Sequence, residues 1–419
     1  MIEHVLAIVL AGGHGTRLEA LSAHGAKPAL PFAGTLRVID FALGNCLNSG
    51  VRRVAVLTQY KSQRLIRHLT RGYVERTGAR GMLVDVVPAQ QKTDGSWYQG
   101  TADAVYQNLD LVEESGARYV LVLAGDHVYK MDYRRMVQEH HRCGAVMTVA
   151  CLEVPCEQAR AFGVMAVDAG GRITAFAEKP AAPPPMPGRD DVSLASMGIY
   201  VFDARALAQA LRHDAADPSS RHDFGYDLLP RLIRGHRVFA HRFTDSCVRA
   251  RGAEAYWRDI GTLDAYWQAN IDLTAPHPAL DLHDPSWPID GVPQPLPPAH
   301  FQGVDGDGMG CVVSDALVAP ACVLEPALVR GSVLCPRVRV GRGSRVDSCL
   351  LLPGSVVGRG ATLCRAIVDA GCVVPDGMEI GVDRARDRER LHVTPNGVTL
   401  VTAQLLEPDG HGSGPTTVW

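Results

Sequence analysis

Residues 5–18, VLAIVLAGGHGTRL, pass directly from an apolar run into a glycine-rich loop. The run Val5–Leu10 predicts a buried strand, because it is short, continuous and rich in aliphatic residues. Glycines after a first parallel strand let backbone N–H groups approach a phosphate, since no Cβ blocks the contact. The segment therefore predicts a phosphate-binding loop. Its spacing matches neither GxGxxG nor GxxxxGK[ST], so a tight structural turn is the alternative.

Two basic residues near this loop favour the phosphate interpretation. Arg17 lies within it, and Lys27 follows in the segment Ala26–Ala29, AKPA. Arginine offers a bidentate fork and lysine a compact point charge, and both suit phosphate groups. We therefore expect both side chains near the phosphates of a ligand.

From residue 5 to about 270, short β-branched runs alternate with helical stretches. Strands are predicted over Val5–Leu10, Val54–Thr58, Val84–Val87, Tyr119–Leu123, Val146–Cys151 and Ile199–Phe202. Helices are predicted over Val38–Asn48, Ser62–Thr70, Thr101–Glu114, Tyr133–His141 and Ala204–Leu211. This alternation is typical of a parallel sheet covered by helices, and it predicts a Rossmann-like, doubly wound α/β domain over residues 1–274.

A proline-rich connector is predicted over residues 275–305. Eight of the 27 prolines lie in residues 275–300, a density that excludes a long helix and favours extended backbone. We expect this segment to lie on the protein surface, where Trp287 can pack against a neighbour, rather than to form a free tether.

Residues 306–419 predict a second domain built from hexapeptide repeats. Aliphatic residues recur every six positions at Val340, Val346 and Leu352, then at Val357 and Leu363, and again at Val374 and Ile380. Such a repeat lets each turn of a parallel β-helix bury one aliphatic side chain per face. A small antiparallel β-sandwich is the alternative.

Two aspartates are candidate metal ligands. Asp126 follows the apolar run Tyr119–Leu123, and a carboxylate there would face the crevice in which open α/β sheets bind ligands. Asp259 is the candidate second carboxylate, and such groups suit a hard cation such as Mg²⁺. Alternatively, Asp126 caps a turn and Asp259 caps the helical stretch Leu263–Leu273.

The dipeptide Glu178–Lys179 follows the strand-like run Ile173–Ala177. On a loop, the glutamate can accept sugar hydroxyls while the lysine meets a phosphate. An exposed surface pair is the alternative.

Composition excludes several classes of protein. The 419 residues carry 42 Lys plus Arg against 45 Asp plus Glu, and 46% of them are hydrophobic. A formal charge of −3 gives no global basis for a nucleic-acid or anionic-membrane partner, and we predict neither. No targeting or membrane-spanning segment is visible in the sequence. Eleven cysteines without a CxxC pair indicate reduced thiols and a cytoplasmic protein.

A series of short motifs runs through the chain: AGGHGTRL, AKPAL, RVIDFALGNCLNSG, PAQQ, WYQGTADAV, VLAGDHVYKMDY, FGVMAVD, AEKP, SLASMGIYVFD, HDFGYDLLP and YWRDIGTLDAYWQAN. Together they strongly resemble bacterial glucose-1-phosphate adenylyltransferases over nearly the whole chain. The resemblance implies a nucleotidyltransferase domain, a left-handed β-helix and a homotetramer. It implies the Mg²⁺-dependent reaction of ATP with α-D-glucose 1-phosphate to give ADP-glucose and pyrophosphate, the committed step of bacterial glycogen synthesis.

The resemblance also implies roles for individual residues. Nucleotide-binding residues would be Gly12, Gly13, Gly15, Thr16, Gln90 and Gly100, with residues 95–100 near the base. Arg17, Lys27 and Asp126 would be catalytic, and Asp126 and Asp259 would hold the metal ion. The glucose 1-phosphate site would comprise Tyr98, Gly163, Glu178, Lys179 and Ser196.

The sequence departs from the family at positions linked to regulation. Members activated by fructose 1,6-bisphosphate often carry a Lys-Arg pair before AKP, where this chain has His24 and Gly25. Arg37 is present in its motif, so a phosphorylated or carboxylate effector is expected at a site including His24 and Arg37. Fructose 6-phosphate or pyruvate as the effector, or an altered AMP response, is equally compatible. A basic position that helps bind inhibitory AMP in some members is Glu114 here, which argues against inhibition by AMP.

Three other functions are alternatives. A sister enzyme would use dTTP or UTP, and a silent regulatory subunit would keep the fold without activity. Retention of Arg17, Lys27, Asp126, Lys179 and Asp259 argues against the silent subunit. An acyltransferase using the β-helix lacks support, because no histidine lies between Cys311 and Val382 to act as base.

Overall fold

A computed structural model describes residues 1–13, 18, 21, 25–75, 81–90, 97–249, 252–304, 308 and 310–406. In its first part the strands are β1 Val5–Ala11, β2 Pro31–Phe32, β3 Leu36–Arg37, β4 Arg53–Thr58, β5 Leu83–Pro88, β6 Tyr119–Ala124, β7 His127–Tyr129, β8 Met147–Pro155, β9 Gly163–Val167, β10 Ile173–Glu178, β11 Val192–Asp203, β12 Val238–Arg242 and β13 Trp257–Asp259. The helices are α1 Ile39–Ser49, α2 Gln63–Leu69, α3 Thr101–Tyr106, α4 Leu109–Ser115, α5 Tyr133–Cys143, α6 Cys156–Ala159, α7 Ala204–Ala215, α8 Leu229–Gly235 and α9 Leu263–Ile271.

A nine-stranded sheet forms the centre of this part, in the order β10-β9-β11-β6-β1-β4-β5, with β8 between β11 and β12. Strands β6, β1, β4 and β5 are parallel, and apolar side chains cover both faces of the sheet. The predicted α/β class is confirmed, and each of the six predicted strands overlaps an observed one.

The sheet is mixed rather than wholly parallel. Strand β11 runs antiparallel to β6, β8 and β9, and β9 runs antiparallel to β10. Parallel neighbours need a crossover of a dozen or more residues, usually a helix. The only helix between β8 and β11 in this described stretch is the four-residue α6, so no helical crossover joins the two strands, and they pair antiparallel.

The helix predicted over Thr101–Glu114 is two helices, α3 and α4. They separate at Asn108, whose φ of −123° and ψ of 29° are not helical. Its side-chain amide donates to the Ala104 carbonyl at 2.8 Å and to the Tyr98 hydroxyl at 2.9 Å. Asparagine competes with the helix in this way, because its side chain bonds to nearby backbone groups.

The second part of the chain is a parallel β-helix. Its strands are β14 His300–Phe301, β15 Val312–Ser314, β16 Leu317–Val318, β17 Val323–Leu324, β18 Leu328–Arg330, β19 Val333–Leu334, β20 Arg339–Val340, β21 Arg345–Asp347, β22 Leu350–Leu351, β23 Val356–Val357, β24 Thr362–Cys364, β25 Ala366–Val368, β26 Val373–Val374, β27 Glu379–Ile380, β28 His392–Val393 and β29 Thr399–Val401. Two short helices, α10 Arg384–Arg388 and α11 Ala403–Leu406, accompany the last strands. The strands form three parallel sheets, with only β28 antiparallel, and they fit the predicted left-handed β-helix.

The hexapeptide pattern marks the interior of this β-helix. All seven aliphatic residues of the predicted repeat are at most 2% exposed. Val340 pairs with Val357 and Val346 with Leu363, so a coil here takes 17 residues. Three hexapeptides would take 18, which explains the one-residue slip in the repeat.

The proline-rich segment packs against the first part of the chain. The Trp287 indole donates to Asn45 Oδ1 at 2.9 Å, and Asn48 donates to the Pro288 carbonyl at 2.7 Å. The buried Lys130 ammonium donates to the Asp281 carbonyl at 2.6 Å. These polar contacts hold the segment against α1 and against Lys130, which follows β7.

His140, on α5, makes stability depend on pH. It is 1% exposed, and its Nδ1 lies 2.8 Å from Thr148 Oγ1. Burial lowers its pKa to about 4; Asp203 partly opposes the shift, whereas His141 and Arg118 add to it. The unfolded chain, with an ordinary pKa of 6.5, therefore takes up this proton first as the pH falls.

We expect the titration of His140 to lower the free energy of unfolding by about 2 kcal/mol between pH 7.5 and pH 5. Urea unfolding of the wild type and of His140→Gln at both pH values measures this cost. The variant should lose less stability, because glutamine can bond Thr148 but cannot titrate. Exposed His277→Gln is the control, and equal pH slopes for His140→Gln and the wild type would contradict the prediction.

Candidate functional site

The site forms where β1 and β6 end side by side. Gly12 and Gly13 follow β1, and Gly125 follows β6. The Gly125 N–H donates to the Leu10 carbonyl at 3.0 Å, and a Cβ on Gly125 would lie only 3.0 Å from that oxygen. Glycine therefore lets the two strand ends meet, and it places Asp126 beside the glycine loop.

A two-stranded ribbon brings in the second carboxylate. Strand β7 starts directly after Asp126 and pairs antiparallel with β13, so that Asp259 stands opposite His127. The alternative role of Asp259 as a helix cap is not observed, since Thr262 caps α9 by accepting from the Ala265 N–H.

Lys27 lies between the two aspartates. Its Nζ is 2.7 Å from Asp126 Oδ2 and 2.7 Å from Asp259 Oδ1. Burial lowers the pKa of this ammonium, but the two carboxylates outweigh burial and raise the pKa above its ordinary value. Partial burial likewise raises the pKa of Asp126, yet His127 and Lys27 hold that pKa below its ordinary value. The charged forms of both side chains are therefore favoured.

His127 is a site residue that the sequence analysis missed. Its Nε2 lies 3.5 Å from Asp126 Oδ1 and 4.0 Å from Asp259 Oδ1, and its ring packs edge-on against Trp257. Its Nδ1 is buried and has no hydrogen-bond partner among the described residues. The signal available in the sequence was its position, directly after Asp126.

These three side chains form a donor set for a metal ion. One ligand atom from each of Asp126, His127 and Asp259 lies within 4.8 Å of the others. Two carboxylates and the imidazole Nε2 that faces both of them fit a divalent cation that accepts oxygen and nitrogen ligands.

A hairpin carries the predicted sugar-site residues Gly163, Glu178 and Lys179. Gly163 starts β9 opposite Glu178, and a Cβ there would lie 2.7 Å from Glu178 Oε2. Burial raises the pKa of Glu178, with a smaller rise from Asp223 and an opposing effect of Lys179. Lys179 is exposed, with a φ of +48°, and its N–H donates to the Phe162 carbonyl at 2.9 Å.

Ser196 lies on the adjacent strand. In β11, Ala195 pairs with Val164, so Ser196 and Gly163 follow one position further along the two strands. An irregularity in β11 begins at Ser196, and Gly198 takes a φ of +66° within it. A Cβ on Gly198 would lie 3.6 Å from the His127 ring, so this strand connects the hairpin with the metal donors.

Gly100 and Tyr98 lie at the start of α3. A Cβ on Gly100 would lie 2.6 Å from the Arg221 carbonyl oxygen, so only glycine fits there. The His222 carbonyl accepts from the Ala102 N–H at 2.8 Å, and this hydrogen bond holds residues 221–223 against α3. The Tyr98 carbonyl accepts from Gln59 at 3.4 Å.

Gln59 is a second residue that the sequence analysis missed. It follows β4, the strand next to β1, and its Cβ would lie 3.2 Å from a Cβ on Gly12. It therefore connects the glycine loop with Tyr98. Gln90 is exposed beyond the end of β5, at the edge of the sheet.

The remaining predicted residues are placed as follows. Gly15, Thr16, Arg17 and His24 lie outside the described residues, as do positions 91–96. Arg37 is described, and its Nε donates to His68 Nδ1 at 3.1 Å while its Nη1 donates to the Ala29 carbonyl. Burial lowers its pKa. Arg37 thus braces the turn that carries Lys27.

Comparisons with known proteins agree with the two-part fold. Residues 6–275 match the family described as Nucleotidyl transferase, and residues 297–401 match GlmU-like, C-terminal hexapeptide. The glucose-1-phosphate adenylyltransferase of Methylobacillus flagellatus is 50% identical over 411 residues, 98% of this chain and 96% of that protein. The enzyme of that name from Paramagnetospirillum magneticum is 51% identical, over 97% of this chain and 95% of that protein. The one from Rhizobium meliloti is 49% identical, over 98% of each.

Within the described part of the chain, none of the helices has the length and apolar character that a bilayer span requires.

All eleven cysteines are free thiols.

We expect Gly100→Ala to destabilise the protein by about 2 kcal/mol or more, because the added Cβ must push backbone carbonyls away from α3. Urea unfolding measures the change. Gly235→Ala is the matched control, since no atom lies within 4 Å of its added Cβ and its φ is not positive. Similar stability of the two variants would contradict the close approach at Gly100.

Proposed function

The chain belongs to the glucose-1-phosphate adenylyltransferases, and we propose that Lys27, Asp126 and Asp259 form the centre at which it joins ATP to α-D-glucose 1-phosphate. The products are ADP-glucose, which supplies glycogen synthesis, and pyrophosphate. The observation that carries the proposal is the convergence of one ammonium and two carboxylates, at 2.7 Å each, where β1 and β6 end.

A divalent metal ion is general in this nucleotidyltransferase family, and we propose Mg²⁺. Asp126 and Asp259 would hold it, with His127 as a neighbouring donor. When bound, it would neutralise charge on the nucleotide phosphates and make the α-phosphorus easier to attack. Mg²⁺ prefers oxygen ligands and keeps several waters, so two carboxylates suffice to anchor it.

The remaining chemistry needs no strong general base. The attacking group is a phosphate oxygen of glucose 1-phosphate, which is already anionic at neutral pH. The difficulty is repulsion between two polyanions, so catalysis depends on positioning and on positive charge. Arg17 and Lys27 would meet the nucleotide phosphates, and exposed Lys179 would meet the phosphate of the sugar.

The sugar itself would lie against the β9–β10 hairpin. Glu178 would accept hydroxyl groups, and the absence of a side chain at Gly163 leaves room for its carboxylate. Ser196, on the adjacent strand β11, would also line the sugar site. Tyr98 and Gly100 would border the sugar and the nucleotide, and the glycine loop with Gln90 would contact the nucleotide.

We also propose regulation by a phosphorylated or carboxylate metabolite. Arg37 supports this proposal, because its guanidinium contacts the turn that carries Lys27 and could pass a change in position to it. His24 and Gly25 in place of the basic pair disfavour fructose 1,6-bisphosphate. A homotetramer and a cytoplasmic location complete the proposal.

Pyrophosphate release by the purified protein tests the activity. Glucose 1-phosphate and Mg²⁺ are supplied with ATP, UTP or dTTP, each with and without fructose 1,6-bisphosphate, fructose 6-phosphate, pyruvate or AMP. We expect turnover selective for ATP. Preference for UTP or dTTP would favour a sister enzyme, and no turnover under any condition would favour the silent subunit.

Two substitutions should affect different constants. Lys179→Gln should raise the KM for glucose 1-phosphate about 10- to 100-fold with little change in kcat, because it removes a charge-assisted contact to the substrate. Asp126→Asn should lower kcat on the order of 100-fold, because it weakens metal geometry. Steady-state kinetics measure both, with exposed Lys61→Gln as the control. Equal small effects on both constants from both changes would refute these roles.

A further inference from the structure

Lys27 stands where a metal ion between the two carboxylates would stand. Its side chain is 10% exposed, and its ammonium bonds one oxygen of each aspartate. A divalent ion bound to the same two oxygens would lie within a few ångströms of the ammonium. Like charges at that separation repel strongly in a partly buried site.

We propose that the Lys27 ammonium and the divalent metal ion are alternative occupants of the space between Asp126 and Asp259. The inference rests on the proposed function, in which these carboxylates hold the metal. In the metal-free protein, Lys27 offsets the repulsion between the two carboxylates. Metal binding releases the ammonium, which is then available to the phosphates of the substrate.

The local backbone allows such an exchange. Lys27 opens a short turn that is closed by the Leu30 N–H donating to the Lys27 carbonyl at 3.1 Å. Arg37 also donates to the Ala29 carbonyl, so the turn is held on two sides. A lysine ammonium sits on a flexible four-carbon stem, and it can change partners while the backbone stays in place.

The backbone that carries the two carboxylates, in contrast, is held by strand pairing. Asp259 is the last residue of β13, whose pairing with β7 sets its distance from Asp126. The Ile260 N–H also approaches the Asp126 carbonyl, at 3.5 Å. The exchange therefore moves the ammonium and leaves the backbone of the two aspartates in place.

Co-occupation is the competing arrangement. A metal ion could use the oxygens that Lys27 leaves free, such as Asp126 Oδ1, which faces His127 Nε2 at 3.5 Å. The ammonium would then keep both of its contacts. The two arrangements differ in whether Lys27 changes its surroundings when metal binds.

Exchange also couples the metal to the nucleotide. When metal binding releases the Lys27 ammonium, the ammonium loses its two carboxylate partners, and a nucleotide phosphate takes their place. Each ligand should therefore tighten the binding of the other, by the reciprocity that linkage requires.

Metal affinity gives the first test. Free Mn²⁺, counted by electron paramagnetic resonance, is titrated with metal-free wild type, Lys27→Met and the control Lys61→Met, without substrates. We expect Lys27→Met to bind Mn²⁺ about tenfold more tightly and Lys61→Met to match the wild type. Equal or weaker binding by Lys27→Met overturns the inference.

A second arm separates this inference from the proposed function. Asp126→Asn and Asp259→Asn should each weaken Mn²⁺ binding. If neither does, the metal site of the proposed function fails, and the inference fails with it. If both do but Lys27→Met gains no affinity, only the inference fails.

The wild-type protein gives the decisive readout, and it is unaffected by any folding defect of Lys27→Met. The chain has only five lysines, so lysine labelled with ¹⁵N at Nζ gives a spectrum of at most five ammonium signals. Lys27→Arg assigns the Lys27 signal. We expect Mg²⁺ to shift it and to speed hydrogen exchange of the ammonium with water, because Lys27 loses both carboxylate partners, while the signals of Lys61 and Lys130 stay in place. Unchanged hydrogen exchange at Lys27 at saturating Mg²⁺ shows co-occupation and overturns the inference.

Discussion

The contact of Lys27 with Asp126 and Asp259 is the constraint around which the site is arranged. The lysine is 99 residues from one aspartate and 232 from the other, so the contact joins three distant segments of the chain. A different element positions each residue: a short turn after the glycine loop carries Lys27, the end of β6 carries Asp126, and the β7–β13 ribbon carries Asp259. Two carboxylates this close repel each other unless a cation lies between them. The site therefore always needs a positive charge, whether it comes from lysine or metal.

The β-helix is joined to this arrangement through α9, which begins four residues after Asp259. The Trp267 indole donates to the Ser348 carbonyl at 2.8 Å, and the Arg365 guanidinium lies 4.4 Å above the Trp267 ring. Apolar side chains of α9 and of the β-helix share one core. These contacts and the shared apolar core hold the two parts of the chain against each other.

Local signals in the sequence predicted the elements well. The apolar run Val5–Leu10 and the aliphatic repeat through Val340 and Val346 depend on periodicity, which a sequence displays directly. The break at Asn108 was missed because a side-chain bond decided it. The reversed direction of β11 was missed because strand direction depends on connections between strands.

The site was predicted less evenly. Asp126 follows a buried strand, so its position could be read from pattern alone, whereas Asp259 was a candidate second carboxylate with a helix cap as the alternative. Its approach depends on the pairing of β7 with β13, which no local pattern encodes. Lys27 was expected at phosphates, and its place between two carboxylates depends on contacts between distant segments. His127 was overlooked because an aspartate beside it already explained the motif.

The order of residues along the chain has a consequence for synthesis. The ribosome releases Lys27 and Asp126 early, but the partner carboxylate emerges only after some 130 further residues, and β13 must then pair back onto β7. A nascent or prematurely terminated chain thus lacks half of the cation site, however well its first strands have folded. The complete pair of carboxylates therefore requires the segment that leads into α9 and the β-helix.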